Sequence, residues 1–120
     1  MAGLRVLAVD DEAPARAELA YVLKQDDRIG EVRTAQNGTE ALKVLQTEPI
    51  DAVFLDIRMP GIDGMEVLRH VKELSEQTEV VIVTAVKSLK TAIEAIKLGA
   101  SDYITKPRSE EHTSELQSRG

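Results

Sequence analysis

Ala52-Val53-Phe54-Leu55-Asp56 is a run of apolar residues closed by a carboxylate, and Met59-Pro60-Gly61 then turns the chain. A segment apolar at every position suits a strand buried on both faces, the condition of a parallel sheet with helices on either side. Working outward, Val6-Leu7-Ala8-Val9 and Val80-Val81-Ile82-Val83 have the same character. Glu31-Val32-Arg33-Thr34-Ala35 alternates instead, which suits an edge strand, and Asp102-Tyr103-Ile104-Thr105 is a short fifth candidate. Between these runs the apolar residues take helical spacing: Ala15, Leu19, Val22 and Leu23; then Thr39–Gln46; then Met65–Leu74; then Leu89, Ala92, Ile93 and Ile96. The apolar stripes of these helices are expected to be core. Pro14 suits a first helical turn and Gly99 a left-handed C-terminal cap. Asn37-Gly38 and Pro60-Gly61 read as turn signals.

A strand-helix alternation five strands long, with right-handed crossovers, implies an α/β fold with a doubly wound five-stranded parallel sheet. The flavodoxin-like strand order 2-1-3-4-5 is taken from the general rule for this architecture and is not read from these residues.

The chain has 120 residues, which suits one domain able to bury a core without staples. It has no cysteine, so disulfides and thiolate metal sites are excluded. No segment approaches the ~20 apolar residues needed to span a bilayer, and no basic region precedes a long apolar run at the N-terminus. A cytoplasmic protein is expected, with no membrane association. The net charge of −6, the absence of a Lys/Arg block and the presence of only two tyrosines and one phenylalanine argue against direct nucleic-acid binding.

Ligands of such sheets bind beyond the carboxyl ends of the strands. The first strand ends in Asp10-Asp11-Glu12, the third in Asp56, the fourth in Thr84-Ala85 and the fifth in Lys106-Pro107. Parallel strands bring these ends to one edge, where three carboxylates, a hydroxyl and an ammonium converge. Close carboxylates repel, and a hard divalent cation relieves them; Mg²⁺ prefers carboxylates together with waters and phosphate oxygens. With Mg²⁺ present, Asp56 can attack a phosphoryl donor, Lys106 can pair with a phosphoryl oxygen, Thr84 can donate to another, and Ala85 leaves room. Without metal, neutralising Asp10 or Asp11 is expected to stabilise the domain modestly.

V-D-D-E at 9–12, F-L-D-I-R-M-P-G-I-D-G at 54–64, V-T-A at 83–85 and D-Y-I-T-K-P at 102–107 resemble the receiver domains of two-component response regulators. The resemblance covers roughly residues 4–107. Each motif alone is weak; four in order, each at a strand end, are specific. The resemblance implies a signalling switch, not an enzyme acting on an external substrate, although it catalyses its own phosphorylation and dephosphorylation. Asp56 would be the phosphoacceptor. Asp10, Asp11, Asp56 and the backbone carbonyl of Arg58 would be the Mg²⁺ ligands, with Asp11 the more direct of the acidic pair. Lys106 would contact the phosphoryl group, the Lys106–Pro107 bond would be cis, and Thr84 and Tyr103 would be the switch pair. The implied donor is a phosphohistidine of a sensor histidine kinase or phosphotransfer protein. The implied output is a change in the face made by helix four and strand five, which could also form a homodimer. Ala13-Pro14-Ala15-Arg16 resembles receivers attached to LytTR-type DNA-binding domains, whereas the fourth helix is more similar to other transcriptional regulators, so the output stays open.

Plainer readings stand beside these. Asp10-Asp11 alone could be a helix N-cap region, Asp56 a turn residue, Thr84 a β-favouring residue, Tyr103 a half-buried edge aromatic and Lys106 a solvated lysine; their shared edge favours the functional reading. His70 lies on a polar helix face and His112 is isolated. A phosphatase of the haloacid-dehalogenase type carries its nucleophile in D-x-D after the first strand, whereas here that strand ends in D-D-E and the lone aspartate follows the third. A phosphorylation-independent interaction module is disfavoured because every acceptor-site residue is present.

The receiver domain is assigned to residues 1–107, and residues 108–120 depart from the pattern. Leu116 is their only substantial apolar residue, too little for the fifth amphipathic helix such a sheet needs, so that helix is degenerate or missing. Arg108-Ser-Glu-Glu-His-Thr-Ser-Glu-Leu-Gln-Ser closely resembles the in-frame translation of a common DNA-sequencing adapter. The tail is therefore read as a sequence-assembly artefact in place of the fifth helix.

Overall fold

The computed structural model describes residues 3–59 and 61–106. In chain order these form β1 (Leu4–Val9), α1 (Ala13–Lys24), β2 (Ile29–Ala35), α2 (Gly38–Thr47), β3 (Ala52–Leu55), α3 (Gly64–Leu74), β4 (Glu79–Thr84), α4 (Leu89–Lys97) and β5 (Asp102–Thr105). The sheet has the order β2-β1-β3-β4-β5 and every pairing is parallel. The expected doubly wound α/β architecture and its order are both present. The alternating strand β2 is an edge, and β3 and the apolar run Val6–Val9 of β1 are interior.

Because side chains alternate across a strand, β1 feeds two cores. Leu7 and Val9 join Val53, Leu55, Val80 and Ile82 under α2 and α3. Val6 and Ala8 join Leu23 of α1 on the opposite face. That second face is covered unevenly: Phe54, Val81 and Val83 are only half-buried, and Ile104 of β5 is 47% exposed.

The helices start where side chains can take up free amides. Asn37 Oδ1 accepts from the Glu40 amide at 2.8 Å, while Glu40 Oε1 reaches back to the Gln36 amide at 2.7 Å. Asn37-Gly38 is thus a helix cap, where the sequence had suggested a turn. Asp63 caps α3 and Ser88 caps α4. Pro14 does sit in the first turn of α1. At the end of α4 Gly99 takes φ +112°, the Gly99 amide donates to Ile96 O and the Ala100 amide to Ala95 O, which completes the expected left-handed cap.

One expectation fails. The apolar stripe of α4 is not core: Leu89 is 78% exposed, and Ile93 and Ile96 are close to half exposed, while only Ala95 of the helix is buried. At 3.6 residues per turn the 89/93/96 stripe lies about a third of a turn from Ala95, so it looks past the sheet and not into it. Val22 of α1 is likewise exposed, whereas its stripe neighbour Leu23 is buried. His70 is half-exposed beside Glu73, as its polar surroundings suggested. The fifth helix, residues 108–120 with His112, and the Lys106–Pro107 bond lie outside the described residues.

Candidate functional site

Asp10, Asp56 and Lys106 each stand one step beyond their strand, held by an extension of the sheet ladder. The Asp10 amide donates to Ala35 O at 3.2 Å, the Asp56 amide to Val9 O at 3.0 Å and the Lys106 amide to Thr84 O at 2.7 Å. The strands therefore deliver these side chains to one edge with the precision of backbone hydrogen bonds.

Lys106 is the electrostatic centre. Its Nζ lies 2.6 Å from Asp10 Oδ2 and 3.0 Å from Asp56 Oδ2, so one ammonium spans two carboxylates that are both nearly buried. Burial by itself would lower the lysine pKa. The hydrogen bonds and charges of Asp10 and Asp56 outweigh it and hold Lys106 above its ordinary value, as a permanent cation.

The two members of the acidic pair differ in environment. Asp10 is 1% exposed and fully engaged: Oδ1 accepts from the Glu12 amide at 3.1 Å, Oδ2 takes Lys106, and its carbonyl accepts from Arg16 Nη1 at 2.9 Å. Asp11 is exposed. The expectation that neutralising either one would act alike is therefore revised: only Asp11 lacks a compensating cation among the described residues. Even so, carboxylate oxygens of Asp10, Asp11 and Asp56 lie within 4.8 Å of one another. An all-oxygen cluster of this size suits a hard divalent cation such as Mg²⁺.

Arg58 follows Asp56 in the β3–α3 loop, and its amide donates to Asp56 Oδ1 at 3.0 Å. Gly64, the first residue of α3, allows that helix to sit on the loop. A Cβ there would collide with the Ile57 backbone and come within 2.7 Å of Asp56 O.

Thr84 is fully buried, and its Oγ1 accepts from the Val86 amide at 3.3 Å. The Tyr103 hydroxyl donates to the Val86 carbonyl at 2.7 Å. The expected switch pair is thus linked through the peptide groups of Val86, a residue the sequence reading passed over. Burial, and then the negative charge of Asp56, push the Tyr103 phenol above its ordinary pKa, so Tyr103 is electrically coupled to the site. Arg16 was also missed. Both contacts use backbone atoms, which carry no residue-type signal.

A doubly wound parallel sheet with an acidic cluster, a bridging lysine and a buried threonine at its carboxyl edge defines a class of α/β modules built around an acidic pocket. The model of the response regulator receiver domain matches residues 6–117, and the chain belongs to that family. It is 36% identical over 107 residues to the transcriptional regulatory protein YpdB of Escherichia coli (strain K12), covering 89% of this chain and 43% of YpdB. It is 38% identical over 107 residues to a protein-glutamate methylesterase/protein-glutamine glutaminase of Koribacter versatilis (strain Ellin345), covering 88% of this chain and 29% of that protein. The chain thus spans less than half the length of these curated relatives. Among solved structures it is similar to response regulator protein TrrA from Thermotoga maritima, in complex with Mg(2+)-BeF, with TM-score 0.78, 31% identity and 97% of each chain covered. The chain is a receiver domain of two-component signalling, a phosphorylation-switch module.

Proposed function

We propose that Asp56 accepts a phosphoryl group from a phosphohistidine of a sensor histidine kinase or phosphotransfer protein, in a Mg²⁺-dependent reaction, and that the modification alters the α4–β5 face. The observation that carries this reading is the Lys106 ammonium held between the Asp10 and Asp56 carboxylates beside Asp11.

Asp10, Asp11 and Asp56, with the Arg58 carbonyl, would hold Mg²⁺, and the fit rests on their all-oxygen donor set. Bound there, the ion supplies charge neutralisation for the carboxylates and for the transferring phosphoryl oxygens. An Asp56 oxygen attacks phosphorus in line with the phosphorus–nitrogen bond of the donor. That bond breaks, its electron pair stays on the imidazole nitrogen, and an acyl phosphate forms on Asp56. Lys106, already cationic, exchanges its Asp56 contact for a phosphoryl oxygen. The Thr84 oxygen accepts from the Val86 amide, which leaves its hydroxyl proton to donate to another phosphoryl oxygen. Movement of Thr84 is passed through the Val86 peptide to Tyr103, and so to β5 beside α4. Water attack on phosphorus breaks its bond to the Asp56 oxygen, releases inorganic phosphate and returns the carboxylate, which resets the switch.

The exposed residues Leu89, Ile93 and Ile96 make α4 a surface for a partner or a second copy of this chain. Among the described residues no helix is long and apolar enough to cross a membrane; we place the protein in the cytoplasm, with its kinase contacts. The relatives are named for transcriptional regulation in one case and methylesterase chemistry in another, so the receiver leaves its output unspecified.

Incubation with acetyl phosphate and Mg²⁺ should add one phosphoryl group by intact mass, and Asp56→Asn should abolish it, because an amide is a poor nucleophile. Undiminished modification in Asp56→Asn would refute the assignment.

A further inference from the structure

The exposed carboxylate of Asp11 stays near two other anions, Asp10 and Asp56, without a cation of its own among the described residues. Repulsion should swing an exposed side chain outward, so something must fix its backbone. The peptide groups on both sides of Asp11 are anchored. The one before it, which links Asp10 to Asp11, has its carbonyl bound by Arg16 Nη1 at 2.9 Å. The one after it, which links Asp11 to Glu12, has its amide bound to Asp10 Oδ1 at 3.1 Å. Arg16 itself is half-buried and makes no ion pair among the described residues. Its backbone amide is tied to Glu12 O at 2.9 Å in the first turn of α1. A guanidinium that spends a directed hydrogen bond on a carbonyl, with no carboxylate partner, acts through geometry more than through charge.

We infer that Arg16 is a positioning residue that orients Asp11 by clamping the Asp10–Asp11 peptide, so that the metal-binding carboxylates are arranged before the ion arrives. The inference rests on the Mg²⁺ reading of the preceding subsection. Its sign separates it from a simple charge effect: a cation beside the cluster weakens Mg²⁺ binding, whereas an orienting clamp strengthens it. Partners that orient a metal ligand are commonly worth a factor of about 10–100 in affinity.

The test is titration of Mg²⁺ into the full chain, read by calorimetry and by the Asp11 backbone amide signal in NMR, with urea unfolding run alongside. Arg16→Ala should weaken Mg²⁺ binding about tenfold and broaden the Asp11 amide signal in the metal-free protein. Arg16→Lys, which keeps a donor, should recover most of the affinity. At saturating Mg²⁺ the rate of phosphorylation by acetyl phosphate should return to that of the unaltered chain, because only the arrangement of the empty ligands is lost. Mg²⁺ binding that is unchanged or tighter in a folded Arg16→Ala overturns the inference. If Arg16→Ala does not fold, Arg16→Met, which keeps the length of the side chain and has no donor, takes its place with the same expected loss, and unchanged affinity there overturns the inference equally. Asp11→Ala separates the two readings. Affinity lost in Asp11→Ala but kept in Arg16→Ala removes the role of Arg16 alone, whereas affinity kept in both removes the metal assignment and this inference with it.

Discussion

Asp10 and Asp11 are adjacent in the chain and opposite in energetics. Asp10 is buried, paired with Lys106 at 2.6 Å and hydrogen-bonded through its other oxygen. Asp10→Asn removes a charge-assisted bond and should cost about 1–3 kcal/mol in metal-free buffer; Asp56 still faces Lys106, so the loss stays below that of an orphaned buried cation. Asp11→Asn removes an exposed anion from a crowded cluster and should stabilise the metal-free protein modestly, while weakening Mg²⁺ binding. Urea midpoints with and without Mg²⁺ check both, and equal effects would contradict the division of roles. Tyr103 offers a pH test. Burial and the Asp56 charge raise its phenol pKa, so the folded state holds that proton more tightly than the unfolded chain. The contribution to stability is then complete below the unfolded value of roughly 10 and is lost as pH rises through the higher folded value. In a Tyr21→Phe background Tyr103 is the sole tyrosine. Its ultraviolet titration should centre above that of the urea-unfolded chain, and coincident curves would contradict the half-buried, Val86-bonded hydroxyl.

At the scale of elements, the β3–α3 junction carries the most constraint. Asp56 leaves the strand with its side chain capped by the Arg58 amide, and α3 must then begin against the same loop. Gly64 is the residue that permits this contact, since any Cβ would meet the Ile57 backbone and the Asp56 carbonyl. The rest of α3 is firmly seated through buried Val67, Leu68 and Val71, so relief must come from the loop. Gly64→Ala should therefore destabilise the domain by about 1–3 kcal/mol and slow phosphorylation of Asp56 at the same time. A variant with unchanged urea midpoint and unchanged phosphorylation rate would show that the junction is looser than its geometry indicates. The α4 cap built by Gly99 is local by comparison, because its hydrogen bonds close within the helix end.

For the whole molecule, the sheet has one face under α2 and α3 and another under α1. On the second face Phe54, Val81 and Val83 are half-buried and Ile104 is nearly half exposed. We propose that residues 108–120 stand where a fifth helix belongs and are an assembly artefact. The family match itself continues to residue 117, so the boundary at 107 rests on the tail's composition. An amphipathic helix of four turns could cover several hundred Å² of apolar surface, about 5–10 kcal/mol as an upper figure at ~25 cal/mol per Å². That approaches a typical domain stability of ~5–15 kcal/mol. Replacing residues 108–120 with an amphipathic helix fitted to this face should raise the urea midpoint markedly and reduce association in sedimentation. A chain that is monomeric, cooperative in unfolding and indifferent to the replacement would return the tail to the status of a genuine segment.

The β-α alternation, the edge character of β2 and the convergence of Asp10, Asp11, Asp56, Thr84 and Lys106 were legible in the residues themselves. Apolar runs and helical periods are local patterns, and parallel connectivity sends every strand end to the same edge. The register that pairs Val9 with Leu55 and Thr84 with Thr105, the burial of Asp10 against the exposure of Asp11, and the third of a turn that faces the α4 stripe outward required the folded chain. So did the roles of Arg16 and Val86, because they act on or through backbone carbonyls and amides, groups that every residue shares. Periodicity shows that a helix has an apolar face, but only packing decides which way that face looks.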